Sequence, residues 1–399
     1  MGTIGLALIA ATLVAAQNLG ELRSLLLNRT GEARKALGII AGLVDATGPC
    51  FTATGATAPG GTVVPDANTV FEIGSITKVF TALVLADMVE RGEVKLDDPV
   101  AKFLPSTVRV PGRDGREITL LDLTNQVSGL PRLPGNLKPA DPGDPYADYG
   151  PARLYEALSA ITLPRGIGEK YEYSNLGVGL LGHALALKAG VDYEELVRSR
   201  VLYPLGMGNT AITLPDSMLA RFATGTGPSL LPVKPWTLDA LAGAGALRST
   251  ANDMLKFLTA AMGLRETPLR KAFDLMLRMR RPTGTPDLEI AMGWHIWKKY
   301  GTEIVWHNGG TGGFRSFAGF DPAKKTGVVV LCNTSFGIDD LGLHALEPKW
   351  PAALLKPPVE RKVVEVADIQ ITFVKNASGA VTHLVLHQGG ADREAKRIK

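Results

Sequence analysis

Three short stretches of this chain carry residue types that could do chemistry together. In FEIGSITKVFTALVLADMV, Ser75 precedes Lys78 by three residues, a spacing that puts both on one face of a helix. Free N–H groups and the positive end of the dipole at such a helix start favour an anion near Ser75. A serine hydroxyl becomes a useful nucleophile when a base takes its proton, and a desolvated lysine beside it can assist. In EKYEYSNLGVGLLGHAL, Tyr173 and Asn175 stand at the start of an apolar, glycine-bearing helix. A phenol near an ammonium has its phenolate favoured, so Tyr173 could act as general base, while Asn175 could donate to a substrate carbonyl. In VWHNGGTGGFRSFAGF, His307 and Asn308 lead into glycines at 309, 310, 312 and 313, interrupted by Thr311. Glycines let a substrate lie close against the backbone, and N–H groups there suit an oxyanion hole. Each stretch also has an ordinary explanation: a Ser N-cap with an exposed Lys, a Tyr covering the core with Asn175 as N-cap, and a turn with an incidental His. Context weakens the first of these. Val79, Phe80, Leu83, Val84, Met88 and Val89 make the helix apolar almost all round, hence buried, and a lysine in its first turn requires a polar pocket.

The elements that must position these residues follow from pattern. Leu19 to Leu37 reads as a first helix, and GIIAGLVD and CFTATGA as two strands joined in a hairpin around Thr47-Gly48. The stretch from Ala53 to Asn68, rich in Gly, Pro, Thr and Asp, is a loop, and a strong helix runs from about Ile76 to Arg91, closed by Gly92. Residues 99–290 read as mainly helical, with capping patterns at Asp192/Glu195 and Thr250/Asp253. TEIVWHN, FRSFAGFDP and TGVVVLCNTS have short connections, as in an antiparallel meander. Strands at both ends with helices between predict an α/β (α+β) fold: one antiparallel sheet built from both chain ends, flanked by helices, with an all-helical insertion. From about Lys356 the composition shifts, and ITFVK with VTHLVLHQ reads as a small C-terminal β-hairpin unit over 356–399, leaving 17–355 as the main domain.

Composition excludes several classes. Of 399 residues, 45% are apolar and 21% charged, which supports a folded core rather than disorder. The net charge of 43 − 39 = +4 is dispersed, and the densest basic group, Arg278, Arg280 and Arg281, reads as the solvated face of an amphipathic segment. No nucleic-acid partner is expected. Two cysteines, Cys50 and Cys332, sit in strand-like runs and make no disulfide framework. The six histidines are scattered without H-E-x-x-H or Cys/His pairs, so neither a metal nor another cofactor is expected. The glycine-rich run follows no strand–helix phosphate pattern, which argues against a dinucleotide fold. Gly2 to Ala16 is uncharged and largely apolar, and Val14-Ala15-Ala16 resembles a small-residue cleavage site, although no Lys or Arg precedes it. A signal peptide over 1–16, with a periplasmic or secreted product, is the expectation; no other segment could span a membrane.

Taken in order, Ser-x-x-Lys on a buried helix, Tyr-x-Asn in a loop and a glycine-rich strand resemble the β-lactamase and penicillin-binding-protein superfamily of serine hydrolases. The resemblance covers about residues 35–350, including VSGLP at 127–131, YPLGM at 203–207 and GAGALRSTANDM at 243–254. The Tyr-Ser-Asn form looks most like the class C β-lactamases and their DD-peptidase, D-aminopeptidase and esterase relatives. The resemblance implies that Ser75 is acylated, that Lys78 and Tyr173 share the proton transfers, and that the N–H groups of Ser75 and Gly310 form the oxyanion hole. It places Asn175, His307, Asn308 and Gly309 on the substrate, which would be a β-lactam, a D-Ala peptide or a short ester. The chain departs from the class C pattern where His307-Asn308-Gly309 stands in place of Lys-Thr-Gly, and where Gln126 replaces a His common in relatives. Two other readings follow: a β-lactamase-like carboxylesterase or D-aminopeptidase, and a non-catalytic penicillin-type sensor that is acylated and held. Intact Tyr173, a base for deacylation, argues against the sensor.

Overall fold

A computed structural model describes residues 19–357, 361–366, 369–388 and 391–396. The N-terminal run Gly2–Ala16 lies outside the described residues. Helix α1 covers 19–30, shorter than the sequence pattern predicts: beyond it Ala33 N and Lys35 N close wider turns onto the Asn28 and Arg29 carbonyls, and the chain enters the sheet at Gly38. Strands β1 (Gly38–Asp45) and β2 (Gly48–Gly55) form the expected hairpin, and β3 is Val70–Glu72. Helix α2 spans Thr77–Glu90 and stops before Gly92, whose φ of +72° is left-handed and favours glycine.

Helices α3 (Leu120–Thr124), α4 (Pro151–Ala160), α5 (Asn175–Ala189), α6 (Tyr193–Val197), α7 (Tyr203–Leu205) and α8 (Asp216–Leu219) make the insertion. Most are short and separated by long Pro- and Gly-bearing connections, so this region is less helical than its pattern suggests. After β4 (Arg248–Thr250), α9 (Ala251–Ala261) starts on the predicted Thr250 cap, which accepts from Asp253 N; Asp192 caps α6 in the same way through Glu195 N. Helix α10 is Arg270–Arg278. Arg280 and Arg281 belong to strand β5 (Arg280–Pro282), not to the helix face expected for them, with Arg280 paired to Glu303.

Strands β6 (Leu288–Ala291), β7 (Trp294–Lys299), β8 (Thr302–Gly310), β9 (Arg315–Asp321) and β10 (Thr326–Cys332) precede α11 (Asp339–Leu346). Eight strands join in the order β2-β1-β10-β9-β8-β7-β6-β5, antiparallel throughout, so β1 pairs directly with β10 and both chain ends build one sheet. Side chains alternate between its faces. Ile39, Ala41, Val328, Val330 and Cys332 face α1 and α11, while Ile40, Val329 and Leu331 face α9 and the large core around α2. Cys50 and Cys332 are both free. β12 (Ile369–Lys375) and β13 (Val381–Gln388) form the predicted tail hairpin, flanked by β11 (Arg361–Val366) and β14 (Ala391–Lys396) in a four-stranded sheet. Among the described residues, no helix is long and apolar enough to cross a membrane.

Candidate active site

Helix α2 is buried along nearly its whole length, and Lys78 in its first turn is only 1% exposed. Its polar residues are bound by the segment that packs over it. Thr81 Oγ1 donates to the Gly243 carbonyl (2.7 Å), and Leu247 N donates to Thr77 Oγ1 (3.2 Å). Lys78 Nζ donates to the Ala244 carbonyl at 2.6 Å and lies 3.1 Å from Ser75 Oγ. Ser75 sits in a 3-10 turn, Gly74–Ile76, that leads into α2. Among the described residues no carboxylate pairs with Lys78. A buried, unpaired ammonium costs several kcal/mol, so it gives up its proton readily. Burial, with the charge of Arg132 adding to it, holds the Lys78 amine well below the usual lysine range.

Ser174, not Asn175, is the N-cap of α5: its Oγ accepts from Gly177 N (2.8 Å) and donates to the Pro131 carbonyl (2.7 Å). Tyr173 therefore stands just outside the helix, with its hydroxyl on the side of the Ser75 hydroxyl that Lys78 meets. Lys78 Nζ lies 4.8 Å from the Tyr173 ring centroid. The phenolate expected from that proximity is not favoured. Burial pushes the Tyr173 phenol up, more strongly than the Ser75 hydrogen bond and the Arg132 charge pull it down. Burial thus favours the uncharged form of both the amine and the phenol beside Ser75. Gln126 fixes this loop on both sides of Tyr173, accepting Ser174 N on its side-chain carbonyl (2.7 Å) and Glu172 N on its backbone carbonyl (2.8 Å). It does so from a left-handed conformation, φ +59°.

The cleft beside Ser75 is lined by Gly74, Tyr146, Asn175, Trp236, Gly310 and Thr311, among others. Gly74, at φ +49°, is packed so tightly on β8 that a β-carbon there would lie 2.7 Å from Gly310 N. Ser75 and Gly310 thus face one cleft, as an oxyanion pair requires. Gly309 meets the Ile73 carbonyl, where a β-carbon would fall 1.9 Å from the oxygen. Asn175 carries an unbonded, buried Oδ1 at the cleft, and Tyr146 reaches its side chain.

His307 and Asn308 are placed differently from expectation. His307 is 1% exposed, behind Tyr173 (ring centroids 6.3 Å apart) and against His295 (5.1 Å), and it does not line the cleft. Burial, then the charges of His295 and Lys78, hold its imidazole well below the ordinary histidine range. Asn308, one residue on, points to the other face of the sheet and donates to Asp339 Oδ2 (2.5 Å). The two-residue period of the strand separates them. His295, which sequence reasoning missed, bonds Tyr171 through Nε2 (2.8 Å), and burial, then Lys78, pushes it down to about 4. Arg132 was missed too; its guanidinium carbon lies 4.9 Å from the Tyr173 ring centroid. Only proximity in three dimensions reveals either residue.

The fold and the arrangement around Ser75 define a serine hydrolase of the β-lactamase and DD-peptidase type. The Beta-lactamase family profile matches residues 27–346, and the chain belongs to that family. It is 30% identical over 331 residues to the D-alanyl-D-alanine-carboxypeptidase/endopeptidase AmpH of Escherichia coli (strain K12), covering 77% of this chain and 84% of that protein. A Beta-lactamase of the same strain is 29% identical over 306 residues, covering 67% and 76%. Penicillin-binding protein 4 of Amycolatopsis lactamdurans is 27% identical over 337 residues, covering 77% and 84%. The fold is shared with a solved class C β-lactamase from Rhodobacter sphaeroides, with a TM-score of 0.71 and 23% identity over 82% of this chain and 99% of that one.

Proposed function

We propose that the enzyme hydrolyses peptide bonds ending in D-amino acids, through an acyl-enzyme on Ser75. The observation that carries this reading is Lys78 Nζ, 3.1 Å from the Ser75 oxygen and 4.8 Å from the centre of the Tyr173 ring, which brings both side chains to one nucleophile. Ser75 Oγ attacks the substrate carbonyl carbon, and its proton passes to the Lys78 amine. The N–H groups of Ser75 and Gly310 hold the oxyanion, and Asn175 holds the substrate amide. Tyr173 gives its phenolic proton to the leaving nitrogen as the C–N bond breaks, and the Lys78 ammonium restores the phenol. Water then attacks the acyl carbon and yields a proton to the same pair. The Ser75–acyl bond breaks, Ser75 recovers its proton, and a carboxylic acid leaves.

A peptidase is favoured over a β-lactamase because His307 is buried and Asn308 faces away, so neither takes the place of a Lys-Thr-Gly pair on a β-lactam carboxylate. The carboxypeptidase/endopeptidase name of the relative from Escherichia coli points the same way. We further assign residues 17–355 to the hydrolase and 356–399 to an appended β unit, and Gly2–Ala16 to an export signal with a periplasmic or secreted product. The test is turnover of an acyl-D-Ala-D-Ala peptide, nitrocefin and p-nitrophenyl butyrate, with mass spectrometry of the adduct. The peptide is expected to turn over and the adduct to map to Ser75, with Ser75→Ala below ~1% of wild type. Higher residual activity refutes the nucleophile, and a burst without turnover identifies a sensor instead.

A further inference from the structure

We propose that Thr81 and Tyr193 are positioning residues for the acyl transfer: together they fix the Ala244 carbonyl that aims the Lys78 amine at Ser75. The proposal rests on the reading of Ser75 and Lys78 given above, and neither new residue lines the cleft. Thr77, Lys78 and Thr81 stand at the start of α2, and each bonds the segment 243–247 that packs over it. The Gly243 carbonyl accepts from Thr81 Oγ1 at 2.7 Å, and the Ala244 carbonyl accepts from Lys78 Nζ at 2.6 Å. Further along, Leu247 N donates to Thr77 Oγ1 at 3.2 Å. The acceptor of the lysine is thus held by an anchor on either side, and the nearer anchor is Thr81.

The hydrogens around Thr81 follow from what each neighbour can do. Its oxygen lies 2.7 Å from the Gly243 carbonyl and 2.6 Å from the Tyr193 hydroxyl; the Thr77 carbonyl, at 3.3 Å, is the longer contact. A carbonyl only accepts, so the single Thr81 proton goes to Gly243, and Tyr193 donates to Thr81. Burial pushes the Tyr193 phenol up, so it keeps that proton. A hydroxyl that accepts one hydrogen bond donates a stronger one, and Tyr193 on α6 thereby tightens the bond to Gly243. Gly243 is also wedged against α5: a β-carbon on it would lie 3.0 Å from Gly182 Cα and 3.2 Å from Thr81 Oγ1. With one amine hydrogen held by Ala244, rotation about the Cε–Nζ bond of Lys78 is limited, and the lone pair can face Ser75 Oγ, 3.1 Å away. Packing of α6 on α2 would need the Tyr193 ring but not its hydroxyl.

The test is hydrolysis of p-nitrophenyl butyrate by the full chain. Nitrophenolate departs without a proton from Tyr173, so kcat/KM reports the attack of Ser75. Thr81→Val keeps the shape and removes the hydroxyl, whereas Thr81→Ser keeps the hydroxyl and removes a methyl. Thr81→Val is expected to lower kcat/KM about tenfold or more, with Thr81→Ser within about threefold of wild type. The acid limb of kcat/KM, set by Lys78, is expected to move to higher pH in Thr81→Val alone, because a loosened turn admits water and relieves the desolvation that depresses the amine. Packing alone predicts the reverse order, with the cavity left by serine the costlier change. Serine as damaging as valine, or an acid limb that does not rise in Thr81→Val, overturns the proposal. Where Thr81→Val does not fold, Tyr193→Phe decides: kcat/KM is expected to fall about threefold with the same upward shift of the acid limb, and wild-type values of both overturn it. If wild type neither releases nitrophenol nor carries a butyryl adduct on Ser75 by mass spectrometry, the underlying hydrolase reading fails instead, and this inference with it.

Discussion

Replacing His295 with glutamine is expected to remove a defined part of the acid sensitivity of folding. His295 is 9% exposed, its Nε2 bonds the Tyr171 hydroxyl, and its Nδ1 has no partner. Burial first, and the charge of Lys78 second, lower its pKa to about 4 from an unfolded value of 6.5. The unfolded chain therefore binds the proton first, and stability is lost as pH falls from 6.5 toward 4. Applying both values at pH 7 and pH 4.5 gives a loss of about 2 kcal/mol from this residue alone, within an upper bound of about 3 kcal/mol set by the whole shift. Glutamine keeps an amide for Tyr171 but does not titrate. Urea unfolding of both proteins at pH 7 and pH 4.5 reads the effect as a double difference, in which the titrating groups not coupled to His295 cancel. The stability of wild type minus variant is expected to fall by about 2 kcal/mol between the two pH values. A change below about 0.5 kcal/mol refutes the claim that this imidazole is held neutral by burial.

The kcat/KM of wild type is expected to reach its plateau far below the ordinary lysine pKa, because burial and Arg132 depress Lys78; a pH–rate profile whose acid limb tracks an ordinary lysine refutes a neutral amine base. Gln126→Leu leaves the buried Ser174 N–H without its acceptor, which costs about 1–3 kcal/mol of stability by urea melt, and loosens the Tyr173 loop, so kcat is expected to fall more than KM changes. Gly309→Ala puts a methyl 1.9 Å from the Ile73 carbonyl and 2.3 Å from Ser316 Oγ, so the turn before Ser75 must shift; activity is expected to fall at least tenfold, and wild-type kcat in a folded variant refutes the close approach.

What could be read from the sequence was local. The apolar circumference of α2, the caps at Thr250 and Asp192 and the strand runs β8 to β10 each depend on neighbours within a few residues, and each appears where the pattern put it. Ser75, Lys78, Tyr173, Asn175 and Gly310 come together because three such local elements converge. The errors arose where packing decides. Asn308 looked equivalent to His307 until the strand's alternation sent it to Asp339. The insertion lost helix to proline and glycine. The tail's flanking strands, RKVVEV and ADREAK, are too charged to announce themselves. Gln126 was visible only as a departure from relatives; that it clamps the Tyr173 loop depends on a left-handed backbone no pattern reveals.

The charge preference of the site was the least legible feature, and desolvation is its first cause throughout. Proximity suggested an ammonium stabilising a phenolate, which holds in a solvated pair. Here α2 is enclosed by the 242–247 segment, α5 and the sheet, and no carboxylate among the described residues accompanies Lys78. Desolvation disfavours every charged form at once: it lowers Lys78, His295 and His307 and raises Tyr173. Such an environment suits the proposed roles, a Lys78 amine that accepts the Ser75 proton and a Tyr173 phenol that gives one to the leaving group. In the proposed mechanism the developing oxyanion then falls to the backbone N–H groups of Ser75 and Gly310. The cation beside the Tyr173 ring, Arg132, is by contrast exposed. Burial thus sets the proposed division: proton transfer belongs to the desolvated Lys78 and Tyr173, and fixed charge is left to the exposed rim.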